Sequence, residues 1–99
     1  MHKKTTLKNG LRVLTVPLKS TNAVTILVLV GTGSKYETKD ISGISHFLEH
    51  MFFKGTTERP TPVDISGPIE GTGGVMNAFT GEDYTGYYMK LAKDNADMA

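Results

Sequence analysis

The residue pattern predicts an α+β fold: a two-layer sandwich of mostly antiparallel sheet with helices packed on one face. Three observations carry the prediction. An Asn9-Gly10 pair separates two short segments of mixed polarity, residues 23–30 are nearly all apolar and rich in β-branched side chains, and from 41 to 54 the apolar spacing changes to that of a helix. Strands with helices inserted among them, opened by a hairpin, favour two packed layers.

Each element has a local reason. Asn9-Gly10 marks a hairpin turn because both residues tolerate positive φ, with residues 4–8 running in and 11–16 running back until Pro17. The β-branched run 23–30 suits a strand covered on both faces, ended by Gly31-Thr32-Gly33-Ser34. Ile44, Phe47, Leu48, Met51 and Phe52 recur at i, i+3, i+4, i+7 and i+8, one arc of a helix that Asp40 or Ser42 can cap and Gly55 can close. A second helix opens at Thr61-Pro62-Val63-Asp64, with Thr61 as N-cap, Pro62 in the first position and an acid in the first turn. Pro68, which has no N–H and crowds the turn before it, is expected to interrupt that helix. After a loop at 71–74, residues 75–80 and 84–91 read as strands around Gly81-Glu82-Asp83, with Tyr84 and Tyr88 on one face and Tyr87 on the other. Asp94 or Asn95 then caps the opening of a further helix that stops after about one turn. The chain therefore reads as the N-terminal portion, residues 1–99, of a longer domain.

Composition narrows the function classes. Ninety-nine residues make one small domain at most, and eleven Lys+Arg against ten Asp+Glu leave a formal charge of +1. That balance excludes a nucleic-acid binder held mainly by charge. The absence of Cys excludes disulfides and thiolate metal sites. The longest apolar run is far below the roughly 20 residues that span a bilayer. The basic N-terminus (His2, Lys3, Lys4) is followed by polar residues instead of an apolar core, so no secretory signal is visible and a cytoplasmic location is the expectation.

The chemistry concentrates on the first helix. His46 and His50 are four residues apart, about 40° of rotation and 6 Å of rise, so both imidazoles leave one face and suit two nitrogen bonds to one zinc ion. Glu49 lies on the same face, where its carboxylate reaches a metal-activated water without necessarily ligating the metal. The competing reading is a pair of ordinary, partly buried helix histidines. Against it, Ser45, His46, Glu49 and His50 form a polar stripe opposite the apolar arc. Two glycine clusters carry no phosphate site: Gly31-Thr32-Gly33-Ser34-Lys35-Tyr36 lacks both dinucleotide and P-loop spacing, and Gly71-Thr72-Gly73-Gly74 precedes a strand.

His46-Phe47-Leu48-Glu49-His50 fits the H-x-x-E-H inverted zincin signature. With its flanks from Gly43 to Thr56 it closely resembles the zinc-site helix of the M16 peptidases. Asn9-Gly10-Leu11-Arg12-Val13, Gly33-Ser34-Lys35-Tyr36-Glu37, Ile69-Glu70-Gly71-Thr72-Gly73-Gly74 and Asn77-Ala78-Phe79-Thr80 resemble further landmarks of that family in order, so the resemblance covers essentially the whole chain. It implies a zinc-dependent metalloendopeptidase with one zinc ion, His46 and His50 as ligands and Glu49 as general base. It further implies a third ligand, a Glu about 75 residues beyond His50, and a second homologous domain that closes the cleft. Asn77 and Ala78 would hold the backbone of an extended peptide or unfolded polypeptide, and Phe79 would line a side-chain pocket. Asp83 stands where family members often carry a Glu. Some members pair with themselves or with a homologous subunit, which makes such a partner an expectation here. The alternative is a non-catalytic relative that binds peptides or a subunit through its sheet edge, and the 99-residue chain alone is expected to show little activity.

Overall fold

The computed structural model describes all of Met1–Ala99. Two antiparallel sheets are formed. Strands β1 (Lys3–Thr6) and β2 (Arg12–Thr15) make a two-stranded ribbon. Strand β3 (Ala23–Val30), followed by helices α1 (Ile44–Met51) and α2 (Pro62–Glu70), leads to β4 (Val75–Thr80) and β5 (Thr85–Ala92). The second sheet has the order β3-β5-β4, with the hairpin β4-β5 placing β5 in the centre and β4 on an edge. Both helices lie between β3 and β4 in sequence and both pack against β4. The α+β class and the antiparallel sheet agree with expectation.

The first hairpin turns differently from the expected two-residue loop. Leu7 N–H donates to Leu11 O (2.8 Å) and Gly10 N–H to Leu7 O (2.9 Å), enclosing Lys8, Asn9 and Gly10. Only Gly10 takes positive φ (+89°); Asn9 instead accepts the Leu11 N–H on its side chain at 3.0 Å. This is the three-residue hairpin with a glycine bulge, in which one left-handed residue suffices.

Helix α2 is capped as expected: Thr61 Oγ1 accepts the Asp64 N–H (3.2 Å), and Asp64 Oδ2 accepts the Thr61 N–H (2.9 Å). Pro68 does not interrupt it. The helix runs through Pro68 to Glu70. The missing N–H would have met the carbonyl of Asp64, an exposed residue whose oxygen water can satisfy, and the helix ends two residues later.

Two further expectations are corrected. Neither Asp40 nor Ser42 caps α1: its N-cap is Gly43 in the left-handed region (φ +88°), with no side-chain bond of its own. After β5, Lys93–Met98 forms a 3-10 helix following Ala92, without a cap from Asp94 or Asn95.

Burial within these 99 residues is sparse. Six residues are buried, among them Ile69 and Leu91 as the apolar core. Within these 99 residues Leu27, Val28 and Leu29 of β3 are each about half exposed, β3 being the other edge of the sheet, so these residues alone do not test whether the strand is covered on both faces. The apolar arc of α1 is also largely exposed, with Phe47 at 62%, while Ser45 is buried and Glu49 half-buried. Of the polar stripe, Ser45 and Glu49 are the covered members, while His46 and His50 stay exposed. A Cα radius of gyration of 15.5 Å, against about 13 Å for a compact chain of this length, fits so open an arrangement.

Candidate metal centre and peptide edge

The helical repeat brings the two histidines together. His50 Nε2 lies 2.9 Å from His46 Nε2, and the rings meet edge to face with centroids 4.5 Å apart. Two nitrogens bonded to one zinc at about 2.0–2.1 Å in tetrahedral array lie about 3.3 Å apart, so a small ring rotation fits this pair to a single ion. The donors also suit it, since neutral imidazole is a common zinc ligand. No third His, Cys, Asp or Glu joins the pair within the chain.

Glu49 leaves the same helix toward β4, where the Thr80 hydroxyl donates to its Oε2. Tyr87, one strand further in and paired with Ala78, lies close enough to feel that carboxylate. Burial pushes the Tyr87 phenol above its usual range, and the Glu49 charge adds to the effect. A cavity of about 290 Å³ opens between the end of α1 and β4, lined by Glu49, His50, Phe53, Lys54, Met76 and Asn77. One histidine, the acid and the first residue of the expected peptide edge thus share one cleft.

The edge itself has a defined hydrogen-bonding sense. Gly81 N–H donates to Tyr84 O (2.9 Å), and inward and outward pairs alternate in an antiparallel ladder. By that alternation Val75, Asn77 and Phe79 turn their backbone groups toward β5, whereas Met76, Ala78 and Thr80 turn theirs to the open edge. The Ala78 N–H accordingly donates to the Asn77 Oδ1 at 2.8 Å instead of to a strand. Phe79 is half a pleat out of phase with Thr80. Its ring lies over Gly86, where an added Cβ would come within 2.6 Å of ring carbon, and meets Tyr84 edge-on at 6.1 Å. Phe79 therefore lies on the face away from Glu49, and the structure does not bring it to the histidines. Tyr87 instead meets Phe52 of the α1 terminus at a tilted 4.8 Å, in keeping with the predicted split of the tyrosines.

Sequence reasoning did not single out Thr80, Tyr87 or Glu37 for roles at this site. The Glu37 carboxylate reaches the start of α1, accepting from Gly43 N–H at Oε1 and Ser45 N–H at Oε2, both at 2.8 Å. The Ser45 hydroxyl, then these two N–H groups, hold its pKa below the ordinary carboxylate range. Glu37 closes the Gly33-Ser34-Lys35-Tyr36-Glu37 segment, but nothing local pairs it with residues six and eight positions on.

Known proteins resemble this chain in sequence and in fold. The family described as Insulinase (Peptidase family M16) matches residues 12–99. The β subunit of the mitochondrial-processing peptidase of Dictyostelium discoideum is 50% identical over 97 residues, covering 98% of this chain and 20% of its own length. An uncharacterized zinc protease of Bacillus subtilis is 44% identical over 99 residues, covering all of this chain and 24% of that protein. Among solved structures, a protease from Helicobacter pylori superimposes with a TM-score of 0.91 at 39% identity, over 99% of this chain and 24% of that one. The chain thus spans about a quarter or less of the length of these relatives, and no helix in it is long and apolar enough to cross a membrane. Profile match, relatives and fold agree: the chain belongs to peptidase family M16.

Proposed function

We propose that the chain carries the metal-binding helix and peptide-binding edge of a zinc-dependent metalloendopeptidase acting on extended peptides or unfolded polypeptides. The observation that carries this reading is the convergence of His46 and His50 Nε2 at 2.9 Å, with Glu49 on the same helix face toward β4. His46 and His50 would hold one zinc ion, with the remaining ligand supplied from outside these 99 residues. Bound zinc would supply Lewis-acid polarisation of the scissile carbonyl and acidify the attacking water.

The residues of the chain then have separate tasks. An extended substrate adds to the open edge of β4, where Ala78 offers backbone groups once its N–H leaves the Asn77 side chain. Recognition by backbone bonds accepts many sequences. Phe79, on the far face, would meet alternate substrate side chains there. Glu49, steadied by the Thr80 hydroxyl, takes a proton from the attacking water and delivers it to the leaving amine. The open edge itself, where Ala78 turns its backbone groups away from β5, also fits a second reading, a non-catalytic module that binds a peptide or a homologous subunit there.

The test uses the full-length protein and an internally quenched peptide. Glu49→Gln should retain zinc yet lose about 10²–10⁴-fold in hydrolysis. His46→Ala should lower zinc content by elemental analysis, and chelation should abolish cleavage. Full activity in Glu49→Gln overturns the catalytic reading. A wild-type protein that binds peptide but neither holds zinc nor cleaves supports the module.

A further inference from the structure

We propose that Glu37 is a positioning residue of the zinc centre. Its carboxylate, anchored to the β4-β5 turn through residues 33–36, fixes the first turn of α1 and so sets where His46, Glu49 and His50 point. The inference rests on the zinc reading above.

Helix α1 is eight residues long and has no capping side chain of its own. Its first amide donors need an acceptor, because they have no partner within the helix. Glu37 supplies two, one oxygen to Gly43 N–H and the other to Ser45 N–H, each at 2.8 Å. A single bond would leave the helix free to swivel about it. Two bonds from one planar carboxylate to donors two residues apart remove that rotation. Ser45 is 5% exposed and immediately precedes His46, so the anchored amide is one peptide from the first imidazole and just over one helical turn from the second. The negative charge also faces the positive end of the helix dipole.

The other end of the segment is equally held. Ser34 N–H donates to Gly81 O (3.2 Å), Lys35 N–H to Glu82 O (3.1 Å), and the Lys35 ammonium pairs with Asp83. That turn directly follows Thr80, whose hydroxyl meets Glu49. The contacts therefore close a ring: α1 to Thr80 through Glu49, along the turn to residues 33–36, and back through Glu37 to the start of α1. A helix held at both points cannot slide along the strand edge, and outer partners of this kind set ligand geometry.

The experiment compares Glu37→Gln and Glu37→Ala with wild type in the full-length protein. Zinc affinity is read by competition with a chromophoric chelator, kcat and KM on the quenched peptide, and folding by circular dichroism. In folded Glu37→Ala, zinc affinity and kcat should fall about 10–100-fold, with KM unchanged because β4 is untouched. Glu37→Gln, which keeps one acceptor oxygen, should fall between; if the alanine variant does not fold, the glutamine variant decides. Folded variants with wild-type zinc affinity and kcat, even at reduced melting temperature, overturn the proposal and leave Glu37 a stabilising cap only. A wild-type protein that binds no zinc overturns the functional reading as well, so the two failures are distinct.

Discussion

Replacing Gly33 by Ala tests the anchoring of the segment before α1 without touching any catalytic group. Gly33 is one of the six buried residues, and its backbone is extended (φ −179°), so alanine meets no conformational penalty there. The penalty is steric. An added Cβ would press on the Gly81 carbonyl oxygen and lie 2.5 Å from that of Glu82 and 2.7 Å from its carbon. These are backbone atoms of a tight turn and cannot rotate away, so the two segments must part by about 0.5 Å or more, which is overpacking at roughly 1–3 kcal/mol. Parting also stretches the bonds from Ser34 and Lys35 to that turn, each worth about 0.5–1.5 kcal/mol. Gly33→Ala should therefore destabilise by about 2–4 kcal/mol in urea unfolding of the full-length protein. Gly31 is the control, two residues earlier and with nothing within 4 Å of a built Cβ; Gly31→Ala should stay within about 0.5 kcal/mol. Equal effects at the two positions would refute the reasoning, because they would show that contact with the turn does not govern the cost.

Thr61→Ala should cost about 1 kcal/mol by removing the cap of α2, and Thr61→Ser should restore it; equal denaturation midpoints for all three proteins would show that water replaces the hydroxyl. Acid should weaken the fold through Glu37 and Asp64, whose pKa values are held below the ordinary 4.5 and 3.8 by the Ser45 hydroxyl and the Thr61 hydroxyl respectively, aided by backbone N–H groups. A carboxylate depressed in the folded state stabilises above its unfolded pKa and loses that contribution as pH falls through the folded one, so denaturation midpoints should drop below about pH 4.5. Glu37→Ala should flatten that slope, and a midpoint that rises on acidification would contradict the assignment.

The legible parts of the chain were those where chemistry and spacing are local. Helical periodicity alone aimed His46 and His50 at one point, and the Thr61-Pro62-Val63-Asp64 run alone gave the α2 cap. The reading of β4 as an edge strand survives in the order β3-β5-β4. Local reasoning failed where a partner came from elsewhere in the sequence. Asp40 and Ser42 are plausible caps by proximity, yet Glu37, further upstream, reaches forward to bond the first amides. Pro68 was expected to stop a helix, but the lost bond involves a solvated carbonyl near a terminus, where the loss is small.

The sequence by itself determined the identity of the chemical groups and their order along one helix, because a turn of 3.6 residues leaves an H-x-x-E-H run little freedom. Only tertiary structure decided which arc of that helix faces the sheet. The pattern points the apolar arc inward, and Phe52 of that arc does meet Tyr87, but β4 also receives members of the polar stripe, with Glu49 against Thr80 and the buried Ser45 bonded to Glu37. Periodicity specifies that two faces differ; which of them is covered depends on what packs against the helix. Here that is an edge strand offering a hydroxyl and a turn offering an anchored carboxylate.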